Sequence, residues 1–261
     1  MPMSPRLLRP RAGITGDSDV RNYIAAVELA DGQQLEQAVK DAIRDFILGC
    51  KTDGTWSALK ASCILMGART LSGCLTPLVG SAPTNNGPFV SGDYNRKNGL
   101  TGNGSTKFLD SNRNNNADPQ DSKHIAAYVT AFGAGASGAS YIGTLVTGTG
   151  GITHIANLSN NHTVRLNSSS GSGSNIAREV GFCGINRSSA SEIAFRNNAS
   201  TATLANTSTT PANANLSAFV RFGFSPTDAT ISFYSIGESL NMSLLRTRLD
   251  TLYTAIGAAI P

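Results

Sequence analysis

The stretch SGDYNRKNGLTGNGSTKFLDSN, Ser91 to Asn112, sets Gly, Asn, Asp and Ser around two short apolar points, Leu100 and Phe108-Leu109. Gly102-Asn103-Gly104 takes positive φ at little cost, which is turn chemistry. Thr106 to Leu109 then alternate as a strand does. Read this way, the segment is a tight turn feeding a sheet and needs no ligand. It is too short and too rich in asparagine to cradle a phosphate.

Outward from this turn the chain divides near residue 80. After Pro83 strand-sized runs bounded by Gly, Asn and Ser follow one another: HIAAYVTAFG from His124, ASYIGTLV from Ala139, ITHIANLS from Ile152 and HTVRLNSS from His162. EVGFCGIN, SEIAFRNN, TATLANTS, LSAFVRFGFS and ATISFYSIG continue the series. About ten short strands at this spacing predict an antiparallel two-sheet sandwich of jelly-roll type. Leu216 to Phe224 and Ala229 to Ile236, separated by SPTD, read as its clearest hairpin. NSSSGSGSN, Asn167 to Asn175, reads as a solvent-exposed tip.

Before residue 80 helical spacing dominates. Asp17 or Ser18 caps a first helix with Val20, Tyr23, Ile24 and Val27 on one face and Gly32 as its stop. Leu35, Val39, Ile43, Phe46 and Ile47 line a second. TWSALKASCILMGA predicts a third, with Trp56, Leu59 and Cys63 inward. At the other end Leu245, Leu249, Leu252, Tyr253, Ile256 and Ile260 form the stripe of a closing helix over 241–260. The expected organisation is a basic arm over 1–16, a helical region over 17–80 and the sandwich with its closing helix over 81–261.

Charged residues are only 15% of the 261 residues, below the usual ~25%. The net charge of +4 is concentrated in the arm at Arg6, Arg9 and Arg11, ahead of the first acid, Asp17. No Lys/Arg stripe interleaved with aromatics appears, so no nucleic-acid partner is expected. No secretory leader and no membrane span are expected either. Cys50, Cys63, Cys74 and Cys183 lack metal-finger or CxxC spacing and read as buried thiols.

The run from Val90 to Val129, VSGDYNRKNGLTGNGSTKFLDSNRNNNADPQDSKHIAAYV, resembles the start of a laminin-G/concanavalin-A-like jelly roll found in bacteriophage virion proteins. In that family a late strand leads into a closing helix, which FYSIGESL and the segment from Asn241 match. The helical lead-in from Ala25 to Gly73 resembles the segment before such domains in phage tail-associated proteins. The likeness runs from about residue 18 to 261 and includes no catalytic signature. It implies a non-enzymatic structural protein of a phage particle, made in the host cytoplasm and displayed on the virion. Its partners would be other virion proteins, further copies of itself, and host surface polysaccharide. A tail-fibre or tail-appendage component is the first expectation, a head decoration protein the alternative, and a glycan-processing enzyme the third.

The residues themselves offer little reactive chemistry. His124, His154 and His162 lie in or beside predicted strands without flanking acids or a nucleophile motif. Glu179, Glu192 and Glu238 are isolated, whereas a glycosidase needs two facing carboxylates. No catalytic residue and no cofactor is therefore expected. Calcium is the single metal alternative, because DSNRNNNADPQD sets Asp110, Asp118 and Asp121 among asparagine carbonyls. The spacing is irregular, and an exposed loop of turn formers explains it equally well. Tyr94, Tyr128 and Tyr141 are the aromatic candidates for stacking on a sugar.

Overall fold

The computed structural model describes residues 16–134, 137–144, 150–221 and 225–261. Four helices are present among them: α1 (Ser18–Asp31), α2 (Gln37–Thr52), the short α3 (Leu71–Cys74) and α4 (Met242–Ala259). The Asp17 carboxylate accepts from the Asp19 and Val20 amides to start α1. Gly32, at φ 66°, stops it. Asn241 caps α4 in the same manner through the Ser243 and Leu244 amides. On α2 the buried face carries Val39, Ile43, Phe46 and Ile47, and on α4 Leu245, Leu249, Leu252 and Ile256. The two helices pack together, and Arg248 clamps Asp53 through two hydrogen bonds of 2.8 Å. Gly49 permits this crossing, since a Cβ there would lie 2.7 Å from the Arg248 Nε.

The strands in chain order begin with β1 (Leu59–Ile64), β2 (Pro77–Val79), β3 (Thr84–Asn86), β4 (Tyr94–Asn95), β5 (Gly99–Thr101) and β6 (Phe108–Asn114). Next come β7 (Lys123–Ala131), β8 (Ser140–Thr144), β9 (Ile152–Leu158), β10 (Asn161–Ser168) and β11 (Ser172–Ala177). The series ends with β12 (Gly181–Arg187), β13 (Glu192–Asn197), β14 (Thr201–Ala205), β15 (Asn215–Ala218) and β16 (Thr230–Gly237). One sheet of nine strands runs β14-β13-β12-β7-β16-β1-β2, with β5 and then β4 attached to β16. The other, of seven, runs β11-β10-β9-β8-β15-β6-β3. All ladders between these strands are antiparallel, and the two sheets form a sandwich. Its interior holds Ile125, Ile185 and Ile236 from the nine-stranded sheet and Ile155, Val164 and Leu216 from the seven-stranded one. The helices cover the far face of the nine-stranded sheet, where Phe46 meets Phe233 edge-on at 5.9 Å and Tyr253 lies 5.2 Å from Tyr128.

The opening stretch is the expected turn. Asn103 Oδ1 accepts from the amides of Ser105, Thr106 and Lys107 at 2.9–3.0 Å, Gly104 sits at φ 67°, and β6 starts at Phe108. Three other expectations are corrected. The predicted third helix is a single 3-10 turn, Trp56–Ala58, followed by β1, which pairs with β16 from Leu59↔Gly237 to Ile64↔Phe233. A strand covered on both faces is apolar without alternation, so its spacing imitates a buried helix. The region 17–80 thus contributes β1 and β2 to the sandwich as well as helices.

The expected hairpin of Leu216–Phe224 with Ala229–Ile236 is also absent. β15 belongs to the seven-stranded sheet and β16 to the nine-stranded one. The first strand stops at Ala218 because Phe219 turns into the left-handed region at φ 72°, its buried ring 4.9 Å from Phe89. Residues 222–224 of that run lie outside the described residues. Finally, the expected solvent tip is shorter than the sequence suggests: Ser169, Ser170 and Gly171 are exposed, but Asn167 is buried and β11 pairs with β10 at Thr163↔Gly173 and Val164↔Ser172.

All four cysteines are free and buried. Burial pushes the Cys50 thiol up to about 11 and those of Cys63 and Cys183 up to about 12. Burial likewise holds the histidines neutral, taking His124 and His162 from near 6.5 down to about 4. An unfolded histidine takes up a proton below its usual ~6.5, while these two stay neutral until about 4. The unfolded state therefore binds more protons in that window. Stability from these sites is complete above ~6.5 and is lost as pH falls towards ~4. The urea midpoint is expected to drop between about pH 7 and about pH 5, and His124→Gln is expected to flatten part of that slope. An unchanged midpoint over this range would refute the assignment.

Candidate functional site

The three carboxylates singled out in the sequence do not gather. Asp110 lies on β6, where it accepts from the Asn112 amide at 2.8 Å and from Asn215 Nδ2 at 3.2 Å. Asp118 is buried and bound to cations of the chain itself. Arg113 grips it through Nε, at 3.1 Å, and through Nη2, and Lys123 Nζ reaches it at 3.3 Å while donating to Asn115 O at 2.8 Å. Burial opposes the charged carboxylate, but the Arg113 hydrogen bond and the Lys123 charge hold Asp118 below its usual range. Burial brings Lys123 down to about 8 against that attraction. Asp121 faces Arg187 electrostatically instead. Among the described residues no group of three or more His, Cys, Asp or Glu is placed to hold a metal ion.

Of the three tyrosines, Tyr128 and Tyr141 are buried and Tyr94 is partly buried. Tyr94 donates to Ala68 O at 2.8 Å and packs against the core. Tyr128 is covered by Tyr253 and donates to Asp250 at 3.1 Å. Tyr141 lies inside, edge-on to the His162 ring at 6.0 Å. A ring packed on its faces has no surface for a pyranose. Trp56 is half-buried, its Nε1 donating to Asp19 at 3.2 Å. His124 bridges Glu238 O at 2.6 Å and Ser235 Oγ at 3.1 Å, so it fastens β7 to β16. Glu238 pairs with Lys60 at 2.9 Å and Glu179 accepts from the Ala199 amide at 3.0 Å. Arg6, Arg9 and Arg11 lie outside the described residues.

The polar chemistry that does converge is on the face of the seven-stranded sheet turned away from its partner. Side chains alternate across that sheet, so Ile155, Val164 and Ala218 point inward and their neighbours outward. The register sets Arg165 beside His154, His154 beside Gly143, Gly143 beside Ser217 and Ser217 beside Asp110, one row across β10, β9, β8, β15 and β6. Arg221 lies over the middle of this row, its Nη1 3.4 Å from His154 Nε2 and its Nε 3.3 Å from Gly138 O. Gly143 makes room for it, because a Cβ there would fall 2.8 Å from the Arg221 Cβ and 2.9 Å from the His154 Cβ. Burial foremost, then Arg221 and Arg165, keep His154 neutral. Beyond β10 a cleft of about 290 Å³ opens, lined by Ser169, Ser170, Ser172, Asn206, Thr207 and Thr209 among others. Past the far end of β11, Arg178 stacks over the Phe132 ring at 4.5 Å. The sequence does not reveal this row, because its members are spread from residue 110 to 221 and only the strand register unites them.

No family model matches the chain, and no curated protein matches it in sequence. Distant likenesses to solved β-sandwich domains exist. A Trypanosoma rangeli sialidase in complex with 2,3-difluorosialic acid overlaps 82% of this chain and 39% of its own, at 12% identity and a TM-score of 0.48. Domain 4 of an extracellular arabinanase from Geobacillus stearothermophilus, in complex with arabinotriose, overlaps 66% and 82% at 11% identity and a TM-score of 0.41. The binding domain of botulinum neurotoxin DC in complex with SialylT overlaps 56% and 39% at 11% identity and a TM-score of 0.38. The chain spans about two-fifths of the length of the first solved structures it matches. At these scores no residue and no ligand is carried over.

The buried Asp118 gives a direct test of the ion cluster. Asp118→Ala strands Lys123 and is expected to cost about 3–5 kcal/mol in chemical denaturation. Millimolar calcium is expected to leave the melting temperature of the wild type unchanged. A calcium-dependent rise that Asp118→Ala abolishes would make the loop a metal site after all.

Proposed function

We propose that this chain is a non-enzymatic structural protein of a bacteriophage particle, a tail-fibre or tail-appendage component whose sandwich contacts host-surface glycan. The observation that carries the reading is the two-sidedness of the fold. One sheet is capped by helices, and the other carries a polar row on its opposite face, partly exposed at Arg165 and Asp110 and buried between them at His154 and Ser217. The helical side supplies the mount. Asp17, where the arm joins the fold, is pinned by Lys51 at 2.6 and 2.7 Å. Gly16 and Asp17 open onto a groove of about 710 Å³ between α1 and α2, floored by Val20, Ile24, Ala25 and Leu48. Leu29 stands 84% exposed on the same helix pair. The arm, with Arg6, Arg9 and Arg11, adds a basic tether for an acidic neighbour in the particle. The reading is non-enzymatic because acids and imidazoles described above are engaged in holding the fold, Asp118 with Lys123 and His124 with Ser235 among them.

Deleting residues 1–16, or replacing Arg6, Arg9 and Arg11 with alanine, is expected to reduce incorporation into assembled particles severalfold, while the isolated variant melts like the wild type. Quantitative gel analysis of purified particles measures this, and unchanged occupancy rejects the tether. Copy number per particle separates the fibre reading from head decoration, since many copies spread over the shell would favour the latter.

A further inference from the structure

We propose that the β8–β10 sector of the outward face, where Arg165 and Arg221 flank His154, binds the carboxylate of an acidic saccharide. This inference rests on the reading of the sandwich as the glycan-facing side, and it names the class of glycan. The guanidinium is the side chain whose planar fork matches a carboxylate with two parallel hydrogen bonds. Here two of them share one face. Arg165 is cross-strand neighbour to His154, and Arg221 rests on the same imidazole. Two half-buried cations so placed repel one another, and Arg165 accordingly lowers the Arg221 pKa, after burial. An anion between them relieves that repulsion.

The surroundings agree with this assignment. All 17 acidic residues of the sequence fall within the described residues, yet none forms an ion pair with Arg165. The remaining contact of Arg165 is a long one, Nη1 to Ser169 O at 3.4 Å, and its buried Nε has no hydrogen-bond partner. The acid of the row, Asp110, lies at the opposite end on β6 and is held by Asn112 and Asn215. The row is therefore polarised, positive at β9–β10 and negative at β6. His154, buried and held neutral, adds no third charge to the pair.

Room for a sugar lies next to the charge. Gly171 passes close to Arg165, whose Nε would be 3.1 Å from a Cβ at that position. Gly171 also lines the cleft with Ser169, Ser170, Ser172 and Asn206. Hydroxyls and an amide of this kind pair with sugar hydroxyls in either donor sense. The carboxylate would thus sit on the arginines and the ring hydroxyls in the serine cleft.

The test is calorimetric titration of the full chain with tetragalacturonate and with its methyl ester, which keeps the sugar and removes the charge. The acid is expected to bind about tenfold or more tightly than the ester, as a lost charge-assisted hydrogen bond implies. Arg165→Gln and Arg221→Gln are each expected to weaken acid binding by about the same factor. Arg196→Gln, on the other sheet, is expected to bind as the wild type does. Comparable melting temperatures show that each variant is folded, and Arg165→Gln, at a partly exposed position, serves if Arg221→Gln is not. Equal binding of acid and ester overturns the carboxylate inference and leaves the glycan reading intact. Unaltered binding by Arg165→Gln overturns the site. Absence of binding to either saccharide overturns both glycan statements, while particle incorporation decides the virion reading on its own.

Discussion

The central strand of the nine-stranded sheet, β16, is buried at every one of its eight residues. A sheet in that position must be covered twice, and the rest of the architecture follows from this. The seven-stranded sheet covers its inner face, and α2 and α4 cover its outer face through Phe46 and the Tyr253–Tyr128 contact. A sandwich alone would leave Phe233 and Tyr128 in water. Burying side chains of that size contributes roughly 1.5–3 kcal/mol each. The helices are for that reason part of the domain.

The same double covering explains why polar groups are found in deep places. β7 runs beside β16 and takes Lys123 and His124 into the interior with it. Each must be satisfied internally, Lys123 by Asp118 and Asn115 O, His124 by Glu238 O and Ser235. Arg187 on β12 is another such case, fully buried yet hydrogen-bonded to Leu166 O and to both the backbone and side chain of Asn206. Of these ties, Arg187 to Leu166 O joins the two sheets. Within the acid-rich loop the buried Asp118 carboxylate is engaged by the chain's own Arg113 and Lys123.

Much of the fold was legible in the sequence, and the failures have a common physical cause. Helices with one wet face, α1, α2 and α4, announced themselves by capping residues and by apolar spacing. Strands β7 to β10 and β12 to β14 stood out between glycine and asparagine punctuation. β1 imitates a helix in the sequence because both its faces are covered, which erases alternation. The false hairpin arose because local pattern records that two runs are strands and not which sheet receives them; the left-handed Phe219 that redirects the chain carries no sequence signal. For the candidate site the limitation is stronger. Tyr94, Tyr128 and Tyr141 looked equivalent in sequence, and only packing shows that all three are occupied. Arg165 and Arg221 looked unrelated, and only the register and the gap at Gly143 place them together.

The four buried thiols have a practical meaning at the bench. Because each sulfur is shielded and disinclined to ionise, none is a ready nucleophile for disulfide exchange while the native packing lasts. Alkylating reagents would gain access only when a molecule opens. The cysteines are thus a built-in clock for the lifetime of the folded state, one that runs without any added label.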